Sequence, residues 1–174
     1  MPVVLLATDA DRLHDEVDAA LGDDTTSVHR VRSGREVIPA VNELDPDLVV
    51  LDLQIGNMGG MATCLSLRSE EGAGRLRRRA VLMLLDRHAD VFLARRSDAD
   101  GWLIKPLDAF RIRRAAGALL AGGEHHEGTA VAESPVDEPL VADTDETASA
   151  ETEATTDADD TVATDAENAE AAEA

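Results

Sequence analysis

The sequence predicts a doubly wound α/β domain, a five-stranded parallel sheet with helices on both faces, followed by an acidic tail. Three observations point there. Residues 3–7, 48–51 and 80–85 are unbroken apolar runs, the pattern of strands buried on both faces rather than on one. Strand and helix patterns alternate five times between residues 3 and 121, as crossover connections between parallel strands require. Polar groups close the runs at Thr8-Asp9, Asp52 and Lys105, the carboxyl ends where open α/β sheets gather their ligands.

In order, residues 3–7 form the first strand. Leu13, Val17, Ala20 and Leu21 then recur at i, i+4, i+7 and i+8, one face of a helix that Gly22 is placed to stop. Residues 25–31 are rich in β-branched side chains and read as the second strand. Ser33 is suited to cap a helix carrying Val37, Val41 and Leu44, which ends before Asp45-Pro46. The third strand leaves that turn and runs into Asp52. After a loop holding Gly56, Gly59 and Gly60, residues 61–68 form a helix with Cys64 and Leu65 on its apolar side, and 69–79 a charged loop crowded with arginine. Residues 80–85 make the fourth strand, 89–96 a short helix, and 102–104 the fifth strand, ended by Lys105-Pro106. Asp108 caps a last helix that packs Ile112, Ala115, Ala116 and Leu119 and stops at Gly122-Gly123.

Charge divides the chain. Of 36 acids, 17 fall in residues 122–174, a stretch with no Lys or Arg, so the net charge of −20 belongs mostly to the tail. Residues 1–121 are enough for one domain. Residues 122–174 hold too few large apolar side chains to offset their ordering entropy and are expected to be disordered. The acidity argues against direct nucleic-acid binding. Cys64 stands alone, which leaves no disulfide framework and fits a buried core thiol in a reduced, cytoplasmic compartment. No leader pattern and no apolar run of about 20 residues is present, so no membrane insertion is expected. His125-His126, between Glu124 and Glu127, reads as a linker coincidence rather than a metal site.

Two carboxylates at strand ends, Asp9 and Asp52, make an oxygen-rich site suited to Mg²⁺. Lys105 is the only lysine among 16 basic side chains; its place beside a proline at a strand end suggests a position that needs a compact ammonium, such as one facing a phosphoryl group. The set suits movement of a phosphoryl group onto an aspartate.

Three stretches, Asp47-Leu-Val-Val-Leu-Asp52, the loop ending Asn57-Met58-Gly59-Gly60, and Ala99-Asp-Gly-Trp-Leu-Ile-Lys-Pro106, together resemble a two-component response regulator receiver domain over residues 3–121. The resemblance implies strand order 2-1-3-4-5, Asp52 as phosphoacceptor and Lys105 as phosphate clamp. It places Trp102 at the aromatic switch position. With Thr8-Asp9 set on the family's acidic pair, Leu13, Val17, Ala20 and Leu21 fall on the core face. Asp9 then matches a direct Mg²⁺ ligand, Thr8 replaces its acidic neighbour, and Gln54 would offer its backbone carbonyl to the metal.

The departures are equally informative. Leu85 stands where the family keeps a Ser or Thr that links the phosphoryl group to the aromatic switch. Asp86 follows it where Ala or Gly leaves room for the donor, and Gly56 replaces a loop proline. With Leu85 behind it, Trp102 reads as a rim-packing aromatic. These departures favour a partly degenerate receiver that serves as a protein-interaction module with weak or absent Mg²⁺ binding. The alternative is a signalling receiver phosphorylated at Asp52 by a histidine kinase or a small phosphodonor. Arg95, Arg96, Arg111, Arg113 and Arg114 lie on the face such domains offer to partners, where an acidic partner or the chain's own tail would meet them. The Arg- and Ala-rich style resembles orphan receivers of actinobacteria, some associated with the respiratory NADH dehydrogenase. That resemblance implies an accessory subunit held at the inner face of the plasma membrane by its partner. A phosphatase-type enzyme is disfavoured, because Gln54 stands where a second carboxylate would be needed.

Overall fold

The computed structural model describes residues 1–23 and 25–128; the tail expected to be disordered lies, from residue 129 onward, outside the described residues. The elements run β1 (Val3–Ala7), α1 (Asp11–Leu21), β2 (Ser27–Val31), α2 (Val37–Leu44), β3 (Leu48–Asp52), α3 (Gly60–Gly72), β4 (Ala80–Leu85), α4 (Val91–Arg96), β5 (Gly101–Ile104), α5 (Ala109–Leu120) and β6 (His125–His126). Short 3-10 turns, Gly34–Glu36 and His88–Asp90, lead into α2 and α4. The helix starts follow capping chemistry. The Ser33 hydroxyl accepts from the Arg35 N–H at 3.3 Å, and the Asp108 carboxylate accepts from the Arg111 N–H at 2.9 Å.

All strands pair in parallel, in the order β2-β1-β3-β4-β5-β6. Successive strand residues point to opposite faces, and two cores result. Leu5, Val49, Leu51, Val81, Met83, Leu85 and Trp102 pack under α2, α3 and α4. Val4, Leu6, Val50, Leu82, Leu84 and Leu103 pack under α1 and α5. Every residue of β3 is buried, which is why its sequence shows no alternation. Because β1 pairs with both β2 and β3, the connections after β1 and β3 leave to opposite faces, and a crevice opens at their carboxyl ends.

Three differences from the sequence expectation have physical causes. Helix α3 continues to Gly72 rather than ending at residue 68, because its last turns are tied down by charge: Arg68 pairs with Glu71 at 2.8 Å and with Asp100 at 2.6 Å. The arginines of the expected charged loop are largely engaged within the domain. Arg77 and Arg79 both pair with Asp45, Arg78 bridges Asp98 and Asp100, and Arg79 is only 6% exposed. The fold also passes residue 121 and adds a sixth strand, so His125-His126 is not a bare linker. Strand β6 pairs with Gly101 and Trp102 of β5. It approaches so closely that a Cβ at Gly101 would stand 2.8 Å from the His125 carbonyl oxygen.

Candidate functional site

Asp52 ends β3 with its side chain in the crevice and is 2% exposed. The start of α3 packs directly beneath it, since a Cβ at Gly60 would lie 2.5 Å from the Asp52 carbonyl oxygen. Three donors from three segments fix the carboxylate. Lys105 Nζ donates to Oδ1 at 2.8 Å, the Gln54 N–H to Oδ1 at 3.2 Å, and the Thr8 hydroxyl to Oδ2 at 2.9 Å. Thr8 is fully buried, and its Oγ1 also accepts from the Ala10 N–H at 3.2 Å. Asp9 is exposed on the rim, where Oδ2 accepts from the Gly56 N–H at 3.2 Å.

Lys105 also reaches Asp86, Nζ to Oδ1 at 3.2 Å. Burial works against its charged form, but the hydrogen bond and charge of Asp52, followed by those of Asp86, outweigh it and hold the ammonium above its ordinary value. Asp86, read from sequence as standing where a small residue leaves room for the donor, is therefore a second counter-ion for Lys105. Leu85 is fully buried in the same core as Trp102 and presents no hydroxyl to the site.

Among the described residues no group of three or more His, Cys, Asp or Glu side chains is arranged to hold a metal ion. The donors present, the carboxylates of Asp9 and Asp52 and the carbonyl of Gln54, are hard oxygens of the kind Mg²⁺ takes while keeping several waters. The site fits the ion in donor chemistry, with Thr8 adding a hydroxyl and no charge.

Residues 4–116 match the family model of the response regulator receiver domain. The chain belongs to the response regulator receiver family. Receivers are signalling modules of two-component systems, and this receiver is similar to two curated regulators. It is 31% identical over 103 residues to the nitrate/nitrite response regulator protein NarL of Escherichia coli, covering 59% of this chain and 46% of that one. It is 30% identical over 134 residues to the DNA-binding response regulator MtrA of Mycobacterium tuberculosis, covering 70% of this chain and 56% of that one. The receiver thus spans about half the length of these relatives. Solved structures share the fold. The chemotaxis response regulator CheY4 of Vibrio cholerae aligns with a TM-score of 0.62 at 21% identity, over 68% of this chain and 98% of that one. The receiver domain of NtrX from Brucella abortus aligns with a TM-score of 0.59 at 22% identity, over 68% and 98%. None of these matches supports a place on a respiratory NADH dehydrogenase. Among the described residues no helix is long and apolar enough to cross a membrane.

Trp102 is more enclosed in this receiver than a rim aromatic. It is 2% exposed, its indole N–H donates to the Glu127 carbonyl at 2.7 Å, and its ring stacks on His126 at 4.1 Å. The Arg95 guanidinium lies 5.7 Å from the ring centroid. Of the arginines assigned to a partner face, Arg95, Arg96, Arg113 and Arg114 are exposed. Arg111 is spent on Glu127 and on the Pro106 and Ile104 carbonyls. Arg113 reaches the Ala20 carbonyl at the end of α1, at 2.7 Å. Cys64 is a core thiol as read, donating to the Ser97 carbonyl at 3.2 Å, with burial pushing its pKa up to about 11. Sequence reasoning missed Glu127, and its only signal was an acid placed just after the Gly122-Gly123 stop.

Proposed function

We propose that this receiver accepts a phosphoryl group on Asp52, from a histidine kinase or a small acyl phosphate, as a step in two-component signalling. The observation that carries this is the Lys105 ammonium, 2.8 Å from the Asp52 carboxylate at the carboxyl end of β3, inside the span that matches the family. In the transfer a carboxylate oxygen of Asp52 forms the new O–P bond. The P–N bond of a phosphohistidine, or the P–O bond of an acyl phosphate, breaks, and the leaving imidazole or carboxylate departs with the electron pair. Lys105 neutralises charge on the transferred oxygens. Attack by water later returns the carboxylate and inorganic phosphate. A cavity of about 310 Å³ lies beside the lysine, between Leu13 and Glu16 of α1 and the run from Lys105 to Leu107.

Asp9, Asp52 and the Gln54 carbonyl would hold a Mg²⁺ ion, which when bound supplies positive charge to the phosphoryl oxygens. Thr8 keeps the acceptor oriented without adding a negative charge, so the ion would be held more weakly than by a site with another carboxylate. Leu85 offers no donor, which removes about 1–3 kcal/mol of phosphoryl stabilisation relative to a hydroxyl there.

Leu85, Thr8 and the Asp86–Lys105 pair favour a second reading, a protein-interaction module that works without phosphate. On that reading exposed Arg95, Arg96 and Arg114 would meet an acidic partner. Intact mass separates the two. Incubated with Mg²⁺ and acetyl phosphate, the wild-type chain is expected to gain one phosphoryl group and the Asp52→Asn chain none. A wild type that gains nothing overturns the acceptor reading and leaves the interaction module.

A further inference from the structure

Residues 124–128 take no part in the acceptor chemistry, yet they grip the piece of backbone that carries Lys105. Ile104, the residue before it, has both backbone groups engaged. Its N–H donates to Glu127 Oε2 at 2.8 Å, and its carbonyl accepts from Arg111 Nη2 at 2.7 Å. Arg111 closes the arrangement, donating from Nε to Glu127 Oε1 at 2.7 Å and from Nη1 to the Pro106 carbonyl. The Ile104-Lys105-Pro106 run is therefore held by Glu127, Arg111 and the Leu85 carbonyl through its backbone and by Asp52 and Asp86 through the lysine side chain.

The same segment shuts in Trp102. Glu127 accepts the indole N–H on its carbonyl, His126 covers the ring, and His125-His126 fill the outer edge of β5. The segment is slight for this task. It pairs through two residues only, and Glu124, His126 and Gly128 are exposed. Gly122 at φ 81° just before it and Gly128 at φ 78° at its end make bends that other residues rarely adopt. Segments with so little burial open at low free-energy cost.

We infer that residues 124–128 form a clasp whose closure is coupled to the charge at Asp52 through Ile104-Lys105-Pro106, and whose release uncovers Trp102 and the outer edge of β5. The coupling rests on the acceptor reading of Asp52. A phosphoryl group there adds negative charge and draws Lys105 away from Asp86; the adjoining backbone follows and loosens the Glu127 and Arg111 contacts on Ile104. Position 85 meets this route only through its backbone, the Leu85 carbonyl accepting from the Lys105 N–H at 2.8 Å, so the absence of a hydroxyl at Leu85 does not break it.

Trp102 is the only tryptophan and the chain has no tyrosine, so its emission reports the clasp directly. In the full chain, acrylamide quenching of Trp102 is measured on the same acetyl phosphate-treated samples whose mass is taken. Gly101→Ala, whose new Cβ would meet the His125 carbonyl, and Glu127→Gln provide two independent references for an open clasp. Quenching is expected to rise about twofold in both variants without a phosphodonor, and in wild type in proportion to the phosphorylated fraction. A mass gain with wild-type quenching unchanged overturns the coupling and leaves the acceptor reading standing. References that quench like wild type overturn the clasp itself. If no mass gain appears, the acceptor reading fails and the coupling that rests on it falls with it, while the two references still decide the clasp.

Discussion

At the end of β3 the Asp52 carboxylate takes hydrogen bonds from Thr8, Gln54 and Lys105, so its position is set by three segments far apart in sequence. Thr8 matters most for what it withholds. A second carboxylate at this fully buried position would face Asp52 and repel it unless a cation sat between them. Thr8→Asp is therefore expected to lower stability by about 1–3 kcal/mol without divalent cations. Added Mg²⁺ should then raise Tm more in the variant than in wild type, because binding to the folded state alone stabilises it. Thermal unfolding across a Mg²⁺ titration checks this, and equal shifts in the two proteins would contradict it. The meeting of Asp52 and Lys105 was legible in the sequence because each ends a continuous apolar strand. Thr8 was legible through its register with the helix that follows. The Lys105–Asp86 pair was not, since the two acids that share one ammonium lie on different strand ends, Asp52 and Asp86.

The clasp belongs to the scale of elements, and its closure has a pH signature. Burial works against the charged form of Glu127, but the hydrogen bond from Arg111 and the one from the Ile104 N–H outweigh it, so the carboxyl lies below its ordinary value of 4.5. A depressed carboxyl contributes stability that is present above pH 4.5 and lost as pH falls through the folded-state value. His125, held below its ordinary value first by burial and then by Arg114, and His126 share the segment. The control therefore keeps both histidines. The difference in Trp102 quenching between wild type and Glu127→Gln should be constant above pH 4.5 and close as pH falls below it. A difference that persists into acid would show that the Arg111–Glu127 pair does not hold the clasp. Helices α1 and α5 were readable from their apolar faces. Strand β6 was not, because two histidines between acids carry no periodicity and their partners, Gly101 and Trp102, are more than twenty residues away. The last turn of α3 was missed for a related reason: what holds it is the pairing of Arg68 with Asp100, not an apolar stripe.

For the whole molecule, one sheet with its two apolar faces separates two kinds of work. The amino ends of β4 and β5 are bound together by charge, with Arg68 and Arg78 both reaching Asp100 and the Val81 N–H donating to it at 2.7 Å. The carboxyl ends hold a smaller set, Thr8, Asp9, Asp52, Asp86 and Lys105, in which one ammonium serves two acids. The topology was legible because β3 and β4 are buried on both faces; the division of labour between the ends was not, because it depends on pairings across loops. The central claim is that this set still makes an acyl phosphate at Asp52 despite Thr8 and Leu85. Borohydride reduction tests it most directly, since it converts a phosphoaspartate, and not a free carboxylate, to homoserine. Wild-type chain treated with Mg²⁺ and acetyl phosphate, reduced, digested and sequenced by peptide mass should carry homoserine at position 52 and retain aspartate at positions 9 and 86. Aspartate unchanged at position 52, or homoserine formed elsewhere in its place, would contradict the account.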